Sequence, residues 1–178
     1  MLLQRPVFLK ETGELKDMRI VSEVMNGGEI PARFGKYGTQ NNSFGVPSCS
    51  VPFEIEDAPE GTKSFAVVLD DVDSVPVCGF VWLHWIAANI KKTRVPENDS
   101  VNADYVQGTN SWLGTYGKEG SAGYGGMTPP DRPHVYTLKV YALDTELDLE
   151  DGFFYNALVH AMKGHVLASA EAEGTYRN

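Results

Sequence analysis

Three residues of this chain, Asp71, His84 and His134, have the types and settings from which a binding pocket could be made. An imidazole can donate a hydrogen bond from one ring nitrogen while a partner holds the other. A carboxylate beside it fixes the tautomer and favours the charged form. Asp71 stands in Asp70-Asp71-Val72-Asp73-Ser74-Val75-Pro76, an acidic cluster directly after an apolar run, and His84 stands in Trp82-Leu83-His84-Trp85. His134 closes the run Tyr124-Gly125-Gly126-Met127-Thr128-Pro129-Pro130-Asp131-Arg132-Pro133-His134 and is followed by Val135-Tyr136. Glycine lets a ligand approach the main chain closely, so the N–H groups of Gly125 and Gly126 are expected to add donors. Trp82 and Tyr136 would supply apolar walls. The product would be a small, partly cationic pocket for an anion.

Other chemistries fit less well. Two imidazoles and a carboxylate can bind zinc, but the chain offers no close-spaced ligand pair. Ser74 and Ser111 lie near the two segments, yet neither sits in a Gly-x-Ser-x-Gly elbow. Cys49 and Cys78 form neither a metal knuckle nor a redox motif, and read as ordinary thiols of a reducing compartment. Asp73 reads as a loop-holding carboxylate, Trp85 and Trp112 as packing aromatics, and His160 and His165 as structural.

Strands must carry these residues. The run at 64–69 (SFAVVL) reads as a buried strand. The run at 81–90 (VWLHWIAANI) reads as a second, placing Trp82, His84, Ile86 and Ala88 on one face and Leu83, Trp85 and Ala87 on the other. Residues 135–143 (VYTLKVYAL) read as a third, with Tyr136, Leu138, Val140 and Ala142 on a shared face. A strand is also expected within 17–24, ahead of the turn signal Asn26-Gly27-Gly28, and another at 168–172, whose Glu171 and Glu173 read as a solvated face. Residues 35–50 read as a long loop, and 108–133, rich in Gly and Pro with neither periodicity, as another of functional character. Phe154, Leu158, Ala161 and Met162 fit one face of a helix that Gly164 would stop.

With 178 residues and ordinary apolar content, the chain suits a single domain that can bury its own core. Its net charge of −9 disfavours nucleic acid and anionic membrane surfaces as partners. The first six residues, broken by Arg5 and Pro6, are unlike a secretory signal, and no apolar run is long enough to span a bilayer. The expected location is the cytoplasm.

Asp71-x-Asp73, the Trp82-x-His84-Trp85 strand and Pro129-Pro130-x-x-x-His134-x-Tyr136 resemble the two signature boxes of the phosphatidylethanolamine-binding protein family, and above all its bacterial, Raf-kinase-inhibitor-like branch. Gly28-Glu29-Ile30-Pro31, Glu60-Gly61-Thr62-Lys63-Ser64, Gly108-Thr109-Asn110 and Met162-Lys163-Gly164-His165 extend the likeness over 17–178, leaving 1–16 as an unassigned N-terminal extension. The resemblance implies a mainly β fold: a β-sandwich with Greek-key-type sheets and a peripheral C-terminal helix. It implies a cavity for phosphate or phospho-headgroup-like anions. Carried over by position, Asp71, Trp82, His84, His134 and Tyr136 line it, and Gly125 and Gly126 belong to the loop that closes it. Neither metal nor cofactor is implied, and a homodimer is. Two positions depart from the pattern: Val135 stands where the family usually has Arg, and Val72 where the first box usually has Pro.

The resulting expectation is a small-molecule binding protein with a regulatory use and no turnover. Two alternatives stand beside it. One is an inhibitor of a kinase or protease, with the 108–133 segment as a contact surface. The other is a weak hydrolase with His84 or His134 as general base, which the absence of an activated nucleophile disfavours.

Overall fold

The computed structural model describes residues 17–178; the six-residue start and the rest of the extension at 1–16 lie outside the described residues. Two antiparallel sheets make up the fold. Strands β1 (Arg19–Val21), β2 (Phe53–Glu56) and β5 (Arg94–Val95) form the smaller one, in the order β1-β2-β5. The larger contains β3 (Ser64–Asp71), β4 (Trp82–Ile90), β6 (Val106–Gln107), β7 (His134–Leu143) and β8 (Val166–Tyr176), in the order β6-β4-β3-β7-β8. The central pairing of β3 with β7 joins strands far apart in the chain, which gives the sheet its Greek-key character.

The main core lies between the sheets. Phe53 and Ile55 come from the small sheet; Phe65, Val67, Leu69, Trp85, Tyr136, Leu138, Val140 and Ala142 come from the large one. On the far face of the large sheet, Ala66, Val68, Ile86 and Ala88 meet Leu158 and Met162 of helix α3 (Tyr155–Met162). Covered on both faces and paired on both edges, β3 is buried along its whole length, as its unbroken apolar run requires. The shared face expected for β7 and the helix face of Leu158, Ala161 and Met162 are present, and Gly164 ends that helix with φ of 82°.

Some sequence expectations need correction. Phe154 is not on the buried helix face; it precedes α3 and is exposed. The 108–133 segment is not all loop, because it holds helix α2 (Leu113–Gly120), interrupted at Gly117 where φ is 66°. The face assignment along β4 also fails. Leu69 pairs with Trp85 but the next residue, Asp70, pairs with Leu83, so His84 is the extra residue of a β-bulge. Beyond it the alternation inverts: Leu83 packs with Ile86 and Ala88 on the helix side, while Trp82 and His84 turn toward the sandwich side. Among the described residues, no helix is long and apolar enough to cross a membrane.

Candidate functional site

Strand register brings the two signature segments together. Asp71, the last residue of β3, pairs with Trp82 of β4 on one side and Tyr136 of β7 on the other. His84 lies two residues into β4 from Trp82, and His134 two residues before Tyr136, so both rings flank the end of β3. Alternation sends Asp70 to the helix face, where it pairs with Lys139, and Asp71 to the sandwich face. The short helix α1 (Val75–Cys78), the 128–130 turn and Trp112 at the start of α2 close the space in front.

The result is a cavity of about 170 Å³ lined by Asp71, Ser74, Val77, Cys78, Trp82, His84, Trp112, Thr128, Pro129, Pro130 and His134. Drug-sized ligands occupy roughly 300 Å³ or more, so this space suits a single small group. Most of the wall is apolar. The Trp82 and Trp112 rings meet edge to face, 5.2 Å between centroids.

His134 is held at both nitrogens. Nδ1–H donates to Asp71 Oδ2 at 2.7 Å, and Nε2–H donates to Asp131 Oδ1 at 2.9 Å. Burial favours the neutral ring, but the hydrogen bonds and charges of Asp71 and Asp131 outweigh it and raise the pKa. Asp131 is correspondingly held below the usual carboxylate range by its bond to His134. The second oxygen of Asp71 accepts the Ser74 N–H at 3.1 Å.

His84 is placed differently. Its Nδ1 lies 2.6 Å from the Gly125 carbonyl oxygen, and burial pushes its pKa down despite the pull of that carbonyl and of Asp71. Its ring stands edge-on to Tyr136, 5.1 Å between centroids, and the His134 ring lies 6.5 Å from the same phenol. Tyr136 is fully buried behind both histidines and supports them from below, rather than lining the cavity.

Gly125 and Gly126 do not offer donors to a ligand. The Gly125 N–H donates to the His84 carbonyl at 2.8 Å and that of Gly126 to Pro47 at 2.8 Å. Both glycines serve close packing instead. A Cβ on Gly125 would come within 2.7 Å of the Trp112 ring, and one on Gly126 within 2.6 Å of the Phe34 carbonyl oxygen.

Some site residues escaped the sequence reading. Trp112, read as loop packing, stands on the cavity wall; Asp131, three residues before His134, is its second carboxylate. The Asp131–His134 spacing was visible but carried no signal of contact. Asp73 does hold the loop: it accepts the Val135 N–H at 3.0 Å and a bond from Arg132 at 3.2 Å. Arg132 thus faces Asp73 rather than the cavity, and Val72 and Val135 are surface residues. Among the described residues, no three of His, Cys, Asp and Glu are placed to hold a metal ion.

Comparison with known proteins agrees with this arrangement. The model of the phosphatidylethanolamine-binding protein family matches residues 21–177. The chain belongs to the phosphatidylethanolamine-binding protein family. The chain is also similar to YxkA of Bacillus subtilis, 41% identical over 79% of this chain and 89% of that one. A UPF0098 protein of Methanothermobacter thermautotrophicus is 35% identical over 84% of this chain and 91% of its own length. Among solved structures, the phosphatidylethanolamine-binding protein homologue CT736 of Chlamydia trachomatis superposes with a TM-score of 0.75 at 31% identity, covering 90% of this chain and 97% of that one. YbcL of E. coli gives 0.73 at 26% identity, covering 91% and 99%. Membership of the family suggests ligand binding.

Proposed function

We propose that the protein binds a small oxyanion, phosphate or a phospho-headgroup-like group, in this cavity and that it does not turn it over. The observation that carries the reading is the meeting of Asp71, His84 and His134, brought by three strands to the wall of one small cavity. Buried titratable groups in a cleft mark functional sites more often than chance. The hydrogen bonds found for the two imidazoles go to Gly125, Asp71 and Asp131, so neither ring is paired with a hydroxyl or thiol. Without a nucleophile on a base, binding is favoured over hydrolysis. Millimolar phosphate is expected to shift the ring resonances of His84 and His134 in NMR spectra, with saturation. Spectra that stay unchanged would end the oxyanion reading, and turnover lost in His84→Ala would replace it with a hydrolase.

Outside the cavity, Val72, Val75, Phe80 and Val81 are exposed within one short stretch between β3 and β4, beside the cavity-lining Val77. A clustered apolar patch of this kind favours an interface. We infer a homodimer that covers it. Light scattering at tens of micromolar is expected to give twice the chain mass, reduced to one chain mass in Phe80→Asp; a monomeric native chain would dispose of the idea. Cys49 and Cys78 are unpaired, which supports a reducing cytoplasm as the location.

A further inference from the structure

His84 faces the cavity with a nitrogen suited to accept, not donate. The Gly125 carbonyl has no proton to give and sits 2.6 Å from Nδ1, so Nδ1 carries the hydrogen. The neutral ring then presents the lone pair of Nε2, to which no group donates among the described residues. The Gly126 main chain lies near enough to the ring to oppose the lowering of its pKa. Burial favours this neutral form.

Among the described residues, the groups around His84 supply no free cation. Asp71, at the end of β3, is a carboxylate. His134, on β7, has both nitrogens committed to carboxylates, so Asp71, His134 and Asp131 together carry one net negative charge. Tyr136 lies behind the rings with its phenol held protonated by burial. Cys78, from α1, stands at the rim, and Arg132 is turned to Asp73. Ser74 is occupied with main-chain partners, which leaves Thr128 as the wall hydroxyl with no hydrogen bond among the described residues. The indole N–H groups of Trp82 and Trp112 are also unpaired but buried. At His84 itself, a fully ionised anion would therefore meet a lone pair beside a negative cluster.

We propose that the pocket takes inorganic phosphate or a phosphate monoester with one proton retained, its P–OH donating to His84 Nε2, and rejects oxyanions that cannot keep a proton. The inference rests on the oxyanion reading above and narrows it. A phosphate monoester loses its last proton near pH 6, so keeping it at neutral pH costs little. Phosphodiesters, including the headgroup linkage of a diacyl phospholipid, and sulfate are strong acids and bring no proton. Sites that hydrogen-bond a ligand hydroxyl discriminate strongly against analogues lacking it, so a preference of about a hundredfold or more is expected. Above the ligand's last ionisation the complex holds one more proton than its separated parts. Affinity therefore falls by about tenfold for each pH unit there and is level below it.

Calorimetric titration of the full chain with inorganic phosphate, methyl phosphate, dimethyl phosphate and sulfate, between about pH 5.5 and 8.5, tests this. Phosphate and methyl phosphate are expected to bind with uptake of about one proton at pH 8, read from buffers of different ionisation heat. Dimethyl phosphate, standing for the lipid linkage, and sulfate are expected to bind about a hundredfold more weakly. Comparable binding of all four with no pH slope would overturn the proton-retaining ligand and leave the oxyanion reading standing. Heat from none of them would remove both. His84→Phe, which has no acceptor, is expected to erase the preference; a preference that survives there also overturns the assignment.

Discussion

Asp71→Ala is expected to lower the stability of the fold by about 3–5 kcal/mol, measured by urea unfolding at pH 6. The size follows from where the pair lies. The side chains of Asp71 and His134 are 5% and 1% exposed, so removing one partner leaves the other charge buried rather than returned to water. Asp131 remains as a partner, but its side chain is 48% exposed and its field is screened. The Ser74 N–H loses its acceptor as well, which adds to the loss. A loss under about 1 kcal/mol would mean that the pair contributes little and that His134 is neutral in the fold.

The pH dependence separates these contributions by sign. The pKa of His134 is raised in the fold, so its contribution is fully present below its unfolded pKa, about 6.5, and is lost as pH rises through the folded value. His84 works in the opposite sense. Its pKa is lowered, so the fold gives up stability as pH drops below about 6.5 toward the folded value. Asp71→Asn keeps the carboxylate's shape but not its charge. Its destabilisation is therefore expected to be larger at pH 6 than at pH 9. An unchanging difference across that range would show that His134 carries no proton to lose.

How far these features were legible depended on whether local pattern or distant pairing decided them. The strands β3, β4 and β7 could be read because their apolar runs are long, and α3 because Leu158 and Met162 lie one turn apart. Helix α2 was hidden by Gly114, Gly117 and Gly120, which carry no apolar face. The two-residue strands β5 and β6 exist through their pairing alone. At His84 the sequence alternates cleanly, yet the bulge is set by register against β3, so no local signal marks it. The amides of Gly125 and Gly126 looked available because their partners, His84 and Pro47, are remote in the chain. The grouping of Asp71 with the two histidines was legible only as a resemblance; the register Trp82–Asp71–Tyr136 supplies its physical cause.

That register also makes Tyr136 the residue on which the site's geometry depends most. Its ring is fully buried, belongs to the main core and touches both imidazoles. Tyr136→Ala is expected to cost about 3–5 kcal/mol, as removal of a large buried ring does, and to abolish phosphate binding even where the fold survives. A cavity behind His84 and His134 would let both rings tilt, and sub-ångström placement is what a small polar site relies on. Tyr136→Phe separates the ring from its hydroxyl. It retains the support under both histidines, so stability is expected to stay within about 1.5 kcal/mol of the native chain and phosphate affinity within about threefold. Calorimetry and urea unfolding on the two variants test both statements. If Tyr136→Phe folds normally but no longer binds phosphate, the hydroxyl rather than the ring is what the cavity uses, and Tyr136 belongs among the groups that meet the ligand instead of those that hold the histidines in place.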